Sequence, residues 1–158
     1  MRIAQARRHA RRALSLLALV TLVSTPTIAS AQTSPVGVWR TISDVDGSPT
    51  ALVEIHERDG ELVGVVKVVL SPGDSDAVCN DCPGDRRGQR IVGLEILRHM
   101  RPDGDGWSGG EILDPDNGKV YRAKMHLEAE GTRLVVRGFI GFALFGRSQT
   151  WLRAQDRL

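Results

Sequence analysis

The chain has 158 residues, which is the length of one domain of ordinary size. Its 21 basic residues (Lys and Arg) nearly balance its 19 acidic ones, but five arginines and no acid fall within the first 31 residues. Without that segment, 21 minus five leaves 16 basic residues against 19 acidic ones, a net charge of −3. A slightly acidic domain lacks the basic surface that nucleic-acid binding needs, so we expect no nucleic-acid partner.

Residues 1–31 have the pattern of a secretory signal peptide. The early arginines form a basic region, Ala13–Val23 is an apolar run of 11 residues, and Ala29–Ala31 supplies small residues for cleavage. The run is shorter than the ~20 residues that span a bilayer, so we expect no transmembrane anchor in the mature chain. The sequence therefore predicts cleavage after Ala31 and a periplasmic or secreted single domain over residues 32–158.

The first half of the mature chain predicts three strands. These are Gly37–Ile42, Thr50–Arg58 and Glu61–Leu70. Asp59-Gly60 between the last two is a strong signal for a tight hairpin. Gly64 inside the third strand predicts a bend or a bulge.

Residues 71–89 form the one long loop, and they contain Cys79 and Cys82, the only cysteines of the chain. In an oxidising compartment we expect these two to form a disulfide that braces the loop. A redox centre is the alternative, although it usually places the pair at a helix N-terminus beside a parallel sheet. A metal site would need about two further ligands, and no second cysteine pair supplies them.

Five strands are predicted in the second half. In the stretch after residue 118, Tyr121, Ala123, Met125 and Leu127 alternate with polar residues, which indicates a strand with one buried face. Turn sequences rich in Asp and Gly separate several of the five strands. The predicted strands are Arg90–Arg101, Trp107–Leu113, Lys119–Glu128, Thr132–Ile140 and Arg147–Arg153.

The order of these elements predicts an all-β fold. Eight strands follow one another with mostly short connections, and no amphipathic helix of convincing length separates them. We expect an eight-stranded antiparallel up-and-down barrel, since closure removes exposed sheet edges; a β-sandwich is the alternative. The interior of an eight-stranded barrel is either filled by side chains or holds one small ligand.

Two resemblances support the barrel. Gly37-Val38-Trp39 on the first strand, with Arg147 or Arg153 on the last, resembles the calycin and lipocalin pattern. There a Trp closes one barrel end under an Arg side chain. The mature chain also resembles an exported bacterial family, domain of unknown function 2147. It shares that family's Gly-x-Trp start and its Cys-x-x-Cys loop. It also shares two further motifs, which are Gly109–Tyr121 and Arg137–Trp151. In the second of these motifs, Phe145 replaces a common Leu. The resemblance implies a lipocalin-like barrel and no established activity, so it supplies no catalytic residue.

Three phenylalanines lie within seven residues, Phe139, Phe142 and Phe145, interleaved with glycines. The favoured interpretation is a turn whose rings plug one barrel end. The alternative is an exposed apolar lip that contacts lipid, a ligand or a partner.

Our leading hypothesis is a non-enzymatic barrel without cofactor or metal that binds a small, partly apolar molecule. The acidic turn after residue 113 does not have the spacing of a calcium loop, and no nucleophile motif is present. An envelope interaction module with a packed barrel is the alternative, and a redox protein ranks third. Oligomeric state stays open. The candidate ligand-binding residues are Trp39, Tyr121, Met125, Arg137, Arg147 and Trp151.

Overall fold

The computed structural model describes residues 34–71, 76–142 and 144–154. The predicted signal peptide, residues 1–31, lies outside the described residues. Eight antiparallel strands pair in sequence order, and β1 pairs with β8 to close the barrel. The predicted all-β barrel is therefore confirmed. The strands are β1 Gly37–Ile42, β2 Pro49–Arg58, β3 Glu61–Val69, β4 Glu95–Asp103, β5 Gly106–Asp114, β6 Lys119–Glu128, β7 Arg133–Phe139 and β8 Gly146–Arg153.

The connections divide the barrel into two ends. The end with the β1–β2, β3–β4, β5–β6 and β7–β8 connections is called the loop end, and the other is called the Trp39 end. Short turns dominate the Trp39 end, and one of them is the predicted hairpin at Asp59-Gly60. Both residues have positive φ, 55° and 79°, which a type I′ hairpin turn requires.

The strand order brings Trp39 beside Arg153, as the calycin resemblance implied. The guanidinium of Arg153 lies 4.2 Å from the centroid of the indole ring. It also donates hydrogen bonds to three backbone carbonyls, at 2.6, 3.0 and 2.7 Å. The indole Nε1 in turn donates to the carbonyl of Pro35 at 2.7 Å. This cluster ties the chain before β1 to the last strand and seals the Trp39 end.

Side chains fill the barrel interior among the described residues. Large side chains from all parts of the sheet are buried, and inward-facing glycines have no spare space beside them. A Cβ at Gly110 would lie 2.5 Å from Met100 Sδ, and one at Gly64 would lie 2.8 Å from Leu97 Cβ. The predicted irregularity at Gly64 is confirmed, because the β3–β4 register shifts on both sides of it.

The fourth strand begins later than its alternating sequence predicts. The prediction was Arg90–Arg101, whereas β4 runs from Glu95 to Asp103. Gly93 has φ of +97° and donates from its N–H to Val66 O at 2.8 Å, so the chain turns before it enters the sheet. Leu94 is buried all the same, which explains why this stretch resembles a strand.

The long loop packs onto the outer side of the barrel rather than projecting from it. Cys79 and Cys82 are joined in a disulfide, as predicted, and are only 1% and 0% exposed. Both belong to the same buried cluster as Leu113 of β5. Within the loop, Arg86 donates to Glu111 of β5 at 2.8 Å. These contacts favour the loop-bracing interpretation of the disulfide.

Candidate functional site

Three of the six candidate ligand residues lie in the packed core. Trp39, Met125 and Trp151 are 0%, 2% and 1% exposed, and all three belong to one buried cluster. A small molecule could reach them only if neighbouring core side chains moved. Their role in ligand binding therefore stays a prediction, while their packing role is visible.

Tyr121 and Arg147 lie near the loop end of the barrel. The half-buried Tyr121 packs beside Gly138. A Cβ added at Gly138 would lie 3.4 Å from the Cβ of Tyr121. Arg147 forms an ion pair with Asp44 of the β1–β2 connection, and Gln149 Nε2 lies 3.5 Å from the same carboxylate. Asp44 thus links the β1–β2 connection to β8 at the mouth of the barrel.

Arg137 faces outward from β7. Its guanidinium donates to Ser148 Oγ at 3.0 Å and to the carbonyl of Leu144 at 3.2 Å. It therefore braces the β7–β8 connection from outside the barrel. The six candidate residues are divided among the core, the mouth and the outer wall, and they do not form one ligand site.

The β7–β8 connection exposes four large apolar side chains. Ile140, Phe142, Leu144 and Phe145 are 68%, 80%, 83% and 73% exposed, and together they are called the apolar tip. The turn is held by backbone hydrogen bonds from Phe145 N to Phe142 O at 3.0 Å and from Ile140 N to Phe145 O at 3.4 Å. Contiguous exposed apolar side chains on a small domain typically mark a contact surface.

This exposure contradicts the favoured interpretation of the three phenylalanines as a plug. Phe142 and Phe145 project beyond the loop end, while the half-buried Phe139 lies under the guanidinium of Arg122, 5.6 Å from its ring centroid. The Trp39 end is closed by Trp39 itself, and the interior of the barrel is already filled. The exposed-lip alternative is therefore the one that the structure supports.

Charge is distributed unevenly around the barrel wall. Strands β6 to β8 carry seven Lys and Arg residues and one Glu, a net charge of +6. Strands β2 to β5 carry four basic and seven acidic residues, a net charge of −3. Arg133 and Arg153 lie at the Trp39 end, and the other five cations lie nearer the loop end, where β7 and β8 lead into the apolar tip.

Three cations lie on the outer face of β6 and β7 near the tip. Arg122, Lys124 and Arg137 are together called the basic wall. Arg122 pairs with Phe139, the last residue of β7, and Lys124 pairs directly with Arg137. Both pairs lie on the outer face of the sheet, so the three cations form one continuous basic surface. Arg122 and Lys124 were not among the candidates, although their alternation with buried residues shows that they share one face.

A second polar feature lies on the opposite, outer side of the barrel. It is a groove of about 450 Å³ between β4 and the long loop. Its charged groups are paired within the groove: Arg98 bonds Asp85 at 2.8 Å and Glu95 at 2.9 Å. Hydrogen bonds lower the pKa of both acids: Arg58 is the main cause for Glu95 and Arg98 for Asp85. The groove is lined by Arg58, Asp85, Gln89, Gly93, Glu95, Arg98 and His99. The pair between Arg98 and Asp85 holds the long loop against β4.

The described residues hold neither a candidate metal site nor a candidate membrane-spanning helix. No group of three or more His, Cys, Asp and Glu side chains is arranged to hold a metal ion. Nor is there, in the same part of the chain, a helix long and apolar enough to cross a membrane.

Comparison with known proteins identifies the family and the fold. The family model for an uncharacterized protein conserved in bacteria (DUF2147) matches residues 37–153. A search of curated proteins finds no significant match. Among solved structures, the chain is similar to protein HP1028 of Helicobacter pylori, described as belonging to the lipocalin family. The TM-score is 0.69 with 18% identity, covering 79% of this chain and 86% of that one. At this identity the similarity supports the fold alone.

Proposed function

Because the chain belongs to the DUF2147 family of uncharacterised bacterial proteins and folds as a lipocalin-like barrel, we propose that it is an exported interaction module of the cell envelope. It would act through contacts of its loop end rather than through an internal ligand. The observation that carries this proposal is the apolar tip, which exposes four large side chains at the end of a filled barrel. The family is uncharacterised, so no catalytic role can be taken from it.

The filled interior favours this function over binding of a small molecule in the core. Trp151 and Met125 would line any central cavity, and both are almost fully buried by other side chains. Gly64 and Gly110 pack tightly against β4, where an added Cβ would lie 2.8 Å from Leu97 Cβ and 2.5 Å from Met100 Sδ. A filled eight-stranded barrel acts as a scaffold that holds its loops in place.

Binding of a small, partly apolar molecule at the mouth is the second candidate. Tyr121 and Gln149 are half-buried there, and Arg147 is exposed beside them. An aromatic ring, an amide and a guanidinium suit a molecule with an apolar body and an acidic group. Such a molecule would have to compete with Asp44 for the arginine.

Cell fractionation tests the proposed function. The wild-type protein should be found with the envelope, and its N-terminal sequence should begin at Gln32. The double variant Phe142→Ser/Phe145→Ser should move to the soluble extract, because it removes two of the four exposed apolar side chains. Leu152→Ser, on an exposed position of β8 near the Trp39 end, is the control and should stay with the envelope. An identical distribution of wild type and tip variant would contradict the proposal.

Native mass spectrometry of protein taken from its own periplasm separates the two candidates. The interaction module should give the mass of residues 32–158 with one disulfide and no bound small molecule. A retained molecule that Arg147→Gln or Tyr121→Phe releases would instead favour binding at the mouth.

A further inference from the structure

We propose that the apolar tip and the basic wall together dock the protein reversibly onto an anionic lipid bilayer. This inference rests on the proposed function, since it names the partner of the same site. It uses two features that lie next to each other, the apolar side chains that project from the loop end and the cations just behind them.

The shape of the tip suits a bilayer. Its four side chains lie within one six-residue connection and are 68 to 83% exposed, so the apolar surface is small and protruding. A folded protein partner would need a matching pocket, whereas the acyl boundary of a bilayer deforms around any protruding apolar group. Phe and Leu are also among the side chains that shallow interfacial anchors use.

The position of the cations matches the thickness of the lipid headgroup layer. Lys124 and Arg137 pair two residues before the end of β7, which at about 3.3 Å per residue places them about 7 Å behind the base of the tip. The headgroup region on each side of a bilayer is about 5 to 8 Å thick. With the tip at the acyl boundary, the basic wall would therefore lie among the phosphate groups.

The charge pattern argues for an anionic surface and against a second copy of this chain. Strands β6 to β8 have a net charge of +6, while strands β2 to β5 have a net charge of −3. Two copies joined tip to tip would bring two basic walls together. An anionic surface would instead attract the basic wall of each copy.

Vesicle co-sedimentation of the mature protein tests the proposal. Vesicles of phosphatidylcholine with about one third phosphatidylglycerol should bind the protein, and pure phosphatidylcholine vesicles should bind it much more weakly. Added salt should weaken the binding, because it screens the cations. Arg122→Gln/Lys124→Gln should lower the affinity about 25-fold, which is about fivefold for each cation near an anionic surface.

The tip contribution is tested with a different pair of variants. Phe142→Ser/Phe145→Ser should lower the affinity by about tenfold or more for each ring removed from lipid. Arg133→Gln and Leu152→Ser make the same types of change near the Trp39 end and should leave vesicle binding unchanged. All these positions are partly or fully exposed, so the variants should fold, and matching near-UV circular dichroism spectra would verify this.

A fluorescent probe separates insertion from adsorption. Phe142→Trp adds an indole at the tip, and brominated lipids should quench its emission, whereas the buried Trp39 and Trp151 should be unaffected. Three results would each overturn the proposal. The first is absence of vesicle binding, and the second is equal binding of the tip and control variants. The third is self-association of the wild type in the absence of vesicles that is lost in the tip variants. If vesicle binding fails while the tip still retains the protein in the cell envelope, the partner is a protein, and the proposed function stands without this inference.

Discussion

Replacement of Trp39 is the perturbation for which the structure predicts the largest loss of stability. The side chain is fully buried, donates a hydrogen bond to Pro35 and is covered by the guanidinium of Arg153. Trp39→Ala should lower the free energy of unfolding by about 3 to 5 kcal/mol, since it opens a large cavity. A domain of this size has only about 5 to 15 kcal/mol in total, so the variant should lose a large share of its stability.

The stacking of Arg153 on Trp39 predicts a measurable coupling between the two. Trp39→Leu keeps an apolar group but removes the ring face, and Arg153→Met removes the charge. In a double-mutant cycle the pair should show a coupling of about 0.5 to 2 kcal/mol. Arg147 lies at the opposite end of the same strand, so Arg147→Met is the matched control and should be additive with Trp39→Leu within about 0.5 kcal/mol.

Urea unfolding, followed by circular dichroism, measures the free energy of unfolding of the wild type and of every single and double variant in both cycles. Additivity of Arg153→Met with Trp39→Leu would show that the stacking contributes nothing. Coupling with Arg147 instead of Arg153 would show that the first and last strands pair in a different register, and it would refute the observed closure of the barrel.

Three further predictions concern the long loop and the turns. The double variant Cys79→Ser/Cys82→Ser should fold but melt at a lower temperature, because loss of so short a cross-link costs about 2 kcal/mol; an unchanged melting temperature would exclude a bracing role. The pKa of Glu95 is lowered by hydrogen bonds to arginine, so its contribution is present at neutral pH and is lost as the pH falls below about 4.5. The urea midpoint of the wild type should therefore fall more steeply in acid than that of Glu95→Gln, and parallel pH curves would contradict the assignment. Gly118→Ala should be more destabilising than Gly104→Ala: both positions have positive φ, but only at Gly118 would the new Cβ meet a backbone carbonyl of the long loop, at 2.2 Å. Equal urea midpoints for the two variants would show that the loop does not pack there.

Most strands could be predicted from the sequence because their signals are local. The alternation from Tyr121 to Leu127 fixed both the strand and its buried face, and Asp59-Gly60 fixed a hairpin without any distant contact. The start of β4 could not be predicted in this way. There the residues are buried by the long loop, and the turn depends on the positive φ of Gly93, which its sequence context does not reveal.

The candidate site depended on tertiary information. Whether the phenylalanines plug the barrel or project from it is decided by how completely other side chains fill the interior. The choice between Arg147 and Arg153 as the partner of Trp39 required the register of β1 on β8. The concentration of cations beside the tip emerged only when β6, β7 and β8 were neighbours, although each strand's own charges are visible in the sequence.

Photocrosslinking in the living bacterium tests most directly whether the protein acts through its apolar tip. The photoreactive residue p-benzoylphenylalanine replaces Phe142 in one strain and Leu152, near the Trp39 end, in another. Irradiation should give adducts with envelope lipid or an envelope protein from position 142 and few or none from position 152. Equal labelling at both positions, or no adduct from position 142, would contradict an interaction module that acts through its loop end.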